Sequence, residues 1–210
     1  MRISEIHSTL CKLYAIDCDV DIEKYLIAID YQIDDIMVGN RIGGREALVI
    51  RECGEMTELG LFISPEIIEA IEGSSPLSCP DEFSCATEGV SHFIYVYNRA
   101  SRGERITKLE LELQGEVDKF LMLSLAAYQE RRFVPPELFV MQFENHRFDP
   151  KLDESERLRY TSASELAAKF CHFLLERCFN PLRTDELLRQ SRDFFRRNFS
   201  QKISRLTPSA

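Results

Sequence analysis

The run Ile106-Thr107-Lys108-Leu109-Glu110-Leu111 constrains the fold of this chain more than any other. A threonine three residues ahead of a glutamate marks a helix N-terminus. The hydroxyl accepts a free backbone N–H, the carboxylate can return to the threonine N–H, and Ile106 and Leu111 sit at the two positions of a hydrophobic staple. Beyond this start, Leu109, Leu113, Val117, Phe120, Leu121 and Ser124 recur at helical spacing and predict one buried stripe. Ahead of it, with Glu88 set at zero and ~100° per residue, Phe83, Ala86, Val90, Phe93, Ile94 and Tyr97 fall in an arc from about 140° to 240°. The polar residues of 101–105 turn the chain between the two patterns. Residues 81–128 therefore predict a helical hairpin.

The N-terminal third reads differently. Residues 3–14 carry Ile3, Ile6, Leu10, Leu13 and Tyr14 at helical spacing. Residues 24–30 lean towards a strand, although 25–37 also fit a helical period. A glycine-bearing loop at 39–44 precedes two β-like runs, 46–53 and 57–64, joined through Gly54, Glu55 and Met56 as a hairpin. Ser64-Pro65 predicts a short helix ending near Gly73. Further helices are expected at 154–179, with Leu158, Leu166, Phe170, Phe173 and Leu174 apolar, and at 184–200. At most one short helix, over 137–143, interrupts the connector between, and the last six residues read as a frayed end. The expected class is α+β and predominantly helical, with a small antiparallel sheet in the N-terminal third followed by a helical bundle. A chain of 210 residues suits one domain: a mixed α/β part over 1–78, a helical core over 79–182, and a basic C-terminal helix over 183–210.

No window approaches the ~18–20 apolar residues of a spanning helix, and the first residues lack the apolar core of an export signal. Seven cysteines without a C-x-x-C pair predict reduced thiols. A soluble, cytoplasmic protein without membrane association is expected. The net charge of −9 disfavours nonspecific binding to nucleic acid, but residues 183–210 hold seven basic side chains against three acidic ones. Arg189, Arg192 and Arg196 form a basic stripe beside Phe194, Phe195 and Phe199, a pattern open to an anion or a nucleic acid. Phenylalanines at this spacing more often anchor a helix to a core and leave the arginines in solvent, which makes nucleic acid the less favoured partner.

The chemically suggestive residues lie on the hairpin. Glu88, His92, Tyr95 and Arg99 occupy i, i+4, i+7 and i+11, all within about 40° of Glu88. A Glu–His pair one turn apart can hold a metal ion, and Glu112 with Glu116 repeats that spacing on the next helix. Glu88, His92, Glu112 and Glu116 would make a mixed N/O set suited to zinc, manganese or iron. Yet the stripe lies opposite the apolar arc, where a solvent face belongs, and no dense ligand motif is present. The polar group gains interest only if it is covered. His7 and His146 stand apart from it.

The segment at 88–93, Glu-Gly-Val-Ser-His-Phe, and the segment at 109–120, Leu-Glu-Leu-Glu-Leu-Gln-Gly-Glu-Val-Asp-Lys-Phe, resemble an uncharacterised bacterial protein family. The resemblance implies a bacterial cytoplasmic protein and assigns no activity. From sequence, then, the first expectation is a noncatalytic interaction or regulatory module with no cofactor, engaging a protein partner or a second copy of itself. The alternatives are a divalent-metal enzyme on the hairpin and nucleic-acid binding through the last helix.

Overall fold

The computed structural model describes residues 1–17, 19–28, 36–39, 45–53, 56–144 and 152–207. It bears out the α+β, mostly helical class. The expected single domain divides into two compact units, Met1–Lys12 with Ile16–Ile106, and Leu13–Ala15 with Thr107–Ala210.

The first unit holds most of α1 (Ile3–Tyr14), a three-stranded antiparallel sheet, α2 (Pro65–Ile71) and α3 (Pro80–Ala100). The sheet order is β1 (Ile36–Gly39), β2 (Glu46–Cys53), β3 (Met56–Ile63), with β2 central. The two strands read from sequence are β2 and β3, registered from Glu46↔Ile63 to Cys53↔Met56. Met56 thus belongs to the strand; Gly54 and Glu55, and residues 40–44 of the expected glycine loop, lie outside the described residues. β1 was not foreseen. The strand expected over 24–30 is instead a 3-10 turn, Ile22–Tyr25, opened by the Asp21 carboxylate accepting the Glu23 N–H. Leu26 then makes a single parallel bridge to Leu61, while residues 29–30 are outside the described set. Gly60 permits this approach, since a Cβ there would stand 3.0 Å from Ile27 Cδ1.

α2 follows the Ser64-Pro65 start and ends before Gly73, whose φ of +71° suits glycine. α3 packs on the sheet, and its Phe83, Ala86, Val90 and Phe93 are all fully or almost fully buried.

The second unit is helical. α4 (Lys108–Arg131) begins as expected, with Thr107 Oγ1 accepting the Glu110 N–H at 3.1 Å, and closes on Arg132 in the left-handed conformation. It packs along α6 (Glu154–Cys178), which starts at an Asp153–Glu156 capping box. The connector holds the short α5 (Pro136–Phe139) and a π turn, Val140–Glu144. The expected last helix is two: α7 (Thr184–Arg196) and α8 (Phe199–Leu206), broken at Asn198, which caps α8 by a second capping box with Gln201. Arg205 and Leu206 are therefore helical and not frayed.

The core of this unit is aromatic. Phe170 stacks on Phe194 at 4.1 Å and Tyr14 on Phe195 at 4.2 Å. Leu158 was expected in the core but is 67% exposed. At ~100° per residue it lies about 160° from Leu174, opposite the buried Ala163, Ala167 and Phe170. Among the described residues no helix is long and apolar enough to cross a membrane.

Candidate functional site

In the first unit, α3 is apolar on the face expected, but its polar face is not a solvent face. Every residue from 89 to 96 is buried, including Ser91, His92 and Tyr95, and Arg99 is 3% exposed. This corrects the surface reading of the stripe. A helix covered all round must satisfy its polar groups internally.

Glu88 and His92 bring one carboxylate oxygen and one ring nitrogen within 4.8 Å of each other, as one helical turn allows. Glu88 is half-buried and His92 wholly so. Two turns further on, Arg99 Nη2 donates to Tyr95 Oη at 2.8 Å, its guanidinium sits 5.0 Å from that ring's centroid, and Nη1 pairs with Glu104. Burial works against the Arg99 charge, but the bonds to Glu104 and Tyr95 outweigh it and hold the guanidinium above its ordinary value.

A residue that sequence reasoning passed over stands beside this face. Glu46, first in β2, is 1% exposed, and its Oε2 lies 3.2 Å from where a Cβ on Gly89 would be. The available signal was a glycine in mid-helix, where only packing or function justifies its ~1 kcal/mol cost against alanine. His7, read as isolated, lies 3.6 Å from Cys11 Sγ through Nε2, an i, i+4 pair legible from spacing.

The second unit holds the remaining expected residues. Glu112 is 2% exposed, with Oε1 3.6 Å from Arg159 Nε. Glu116 accepts Lys119 Nζ at 2.7 Å and Gln142 Nε2 at 3.1 Å, and Gln142 also donates to the Glu116 carbonyl at 2.7 Å. The four expected metal ligands thus draw on both units, and the two α4 carboxylates face different partners.

This unit also buries a chain of polar groups that the sequence did not reveal. Lys202 Nζ donates to Gln114 Oε1 at 2.9 Å, and Gln114 Nε2 lies 3.1 Å from both Tyr14 Oη and Asp118 Oδ1. Tyr14 donates to Asp118. Burial first, and the Asp118 charge second, push the Tyr14 phenol well above its ordinary value, so it remains a donor. All four side chains are at most 1% exposed, which makes the group a structural lock rather than a substrate site.

On α7, Arg189 grips Glu186 through Nε at 2.8 Å and Nη2 at 2.6 Å; hydrogen bonds from Arg189 and Gln190 bring the Glu186 carboxyl down to about 2. Arg192 Nε donates to the Leu13 carbonyl at 2.9 Å, and Arg196 is exposed. Phe194 and Phe195 are core residues. The basic stripe is thus partly occupied in holding its own unit together.

Comparison with protein-family models, with curated proteins and with solved structures finds no match.

Proposed function

We propose that this chain binds a divalent metal ion on α3, with Glu88 and His92 as ligands, and acts as a metal-dependent enzyme. The observation that carries this reading is the burial of His92 within 4.8 Å of the Glu88 carboxylate. A surface Glu–His pair is ordinary, whereas a buried one sits in the low dielectric that strengthens metal coordination. Imidazole and carboxylate together suit zinc, manganese or iron(II). The proposed setting is a bacterial cytoplasm. In keeping with it, Cys79, Cys171 and Cys178 carry free thiols.

Elemental analysis of protein purified without chelator, and again after reconstitution, tests the reading. One equivalent of metal in the wild type, lost in Glu88→Ala and His92→Ala, is the expected result. Less than a tenth of an equivalent in reconstituted wild type would refute it.

A second reading, the noncatalytic interaction or regulatory module, is favoured by Phe133, Val140 and Met141, large apolar side chains 47%, 37% and 38% exposed within nine residues. Clustered exposed apolar groups are a common mark of partner surfaces. Light scattering on the purified chain, compared with Phe133→Ser and Met141→Ser, would show a dimer that the substitutions dissolve. A monomer throughout, with no partner recovered from lysate, would remove this reading's support. The engagement of Arg189 and Arg192 within their own unit speaks against nucleic acid as the partner.

A further inference from the structure

We propose that residues 131–144 form a two-fold self-association surface on the second unit, in which Arg131 and Arg132 of one copy meet Glu137 and Glu144 of the other; this deepens the interaction reading above and rests on it. The apolar centre of this surface cannot turn inward. α5 and the π turn run on as one helical stretch, since Val140 between them keeps helical backbone angles, φ −60° and ψ −45°. Phe139 and Phe143 hold the inner side of that stretch against α4, with ring centroids 6.0 and 5.8 Å from Phe120, and Gln142 Nε2 donates to the Glu116 carbonyl at 2.7 Å. Val140 and Met141 are left on the outer side, 37% and 38% exposed. Phe133 is fixed in a similar way. Asn180 bonds both the N–H and the carbonyl of Val134, at 3.2 and 3.0 Å, and the Val134 side chain is fully buried, so Phe133 beside it stays 47% exposed. Large apolar groups held in water by an anchored backbone mark a surface that a partner covers.

The charges around these side chains decide which partner fits. Arg131 and Arg132 precede Phe133, while Glu137 stands one turn before Val140 and Glu144 one turn after Met141. All four are exposed, and among the described residues none of their charges is paired within the chain, whereas Glu130 just before them is engaged. The surface thus has a basic half and an acidic half. A nucleic acid, an anionic membrane or a protein face of one sign would meet like charge over one of the halves. A second copy turned by a two-fold axis presents the same halves in reverse order, because in such an interface residue i meets j and j meets i. Phe133 of each copy then lies against Val140 and Met141 of the other, with an arginine pair facing a glutamate pair on both sides. Three apolar side chains are few, so the dimer is reversible and grows with concentration.

Sedimentation equilibrium of the full-length chain over a range of concentrations tests this with two double variants, Arg131→Glu with Arg132→Glu, and Glu137→Lys with Glu144→Lys. The first makes the surface wholly acidic and the second wholly basic. Each alone should dimerise about tenfold or more weakly than the wild type, and an equal mixture of the two should regain wild-type association as a heterodimer. Added salt should weaken the wild-type dimer. All four positions are exposed, and thermal melting checks that each variant is folded; if a double variant melts out, Arg131→Glu and Glu144→Lys alone carry the comparison. Reversed chains that dimerise as tightly as the wild type, with no gain on mixing, would overturn this pairing and leave the interaction reading standing. A wild type that stays monomeric at every concentration would overturn the pairing and self-association together.

Discussion

Lys202 Nζ stands 2.9 Å from Gln114 Oε1 with the lysine wholly shielded from water, 5.0 Å from the centroid of the Phe194 ring. The amide in turn reaches Tyr14 and Asp118, so one lysine on α8 ends a polar chain that begins on α1. Lys202→Met keeps most of the bulk but leaves the Gln114 oxygen without this donor. The expected cost is about 1–3 kcal/mol, read from urea denaturation. Lys202→Ala should cost more, since it adds a cavity beside Phe194. A methionine variant as stable as the wild type would show that the network contributes nothing to stability.

The same unit should be sensitive to alkali. Cys171 is fully buried, and burial, then Glu116 and Asp118, raise its thiol well above the ordinary value of 9.0; Tyr14 is raised well above 10.0. Both groups stay protonated when folded at a pH where the unfolded chain has released its protons. The unfolded state then binds fewer protons, so stability falls as pH rises, beginning near pH 9 for the thiol and near pH 10 for the phenol. Below pH 9 these groups contribute no pH dependence. Chemical denaturation from pH 7 to 11 should show the decline, with its first part reduced in Cys171→Ala, since burial raises the Cys178 thiol as well. A flat profile to pH 11 would contradict the assignment.

On α7 the core and surface roles separate cleanly. Phe194 is fully buried and stacked on Phe170, so Phe194→Ala should lose about 3–5 kcal/mol. Arg196 is exposed, and Arg196→Ala should stay within about 0.5 kcal/mol of wild type. Equal effects at the two positions, measured by thermal melting, would mean that this helix is not docked through its phenylalanines.

How far these features were legible depends on what each one needed. The start of α4 was readable because Thr107 and Glu110 act within one turn, and strands β2 and β3 because a short connection and β-branched runs are local signals. The same local logic at Asn198 and Gln201, and at Asp153 and Glu156, marks the starts of α8 and α6, and an unbroken helix over 184–200 overlooks it. Leu158 was misplaced because apolar character alone does not give a face; its angle to Leu174 does. The burial of His92 and Tyr95 was not readable, since periodicity compares a helix only with itself and cannot say that both faces are covered. Glu46 and Lys202 lay further out of reach. Each is a charged residue whose burial depends on a contact remote in sequence, Gly89 for the one and Gln114 for the other.

The metal reading is tested most directly by X-ray absorption at the zinc edge of the reconstituted full-length chain. One equivalent of zinc should show a mixed nitrogen and oxygen shell at about 2.0–2.2 Å, with imidazole scattering that disappears in His92→Ala. Zinc bound at one equivalent with the same spectrum in the wild type and in His92→Ala would contradict the assignment of the site to α3.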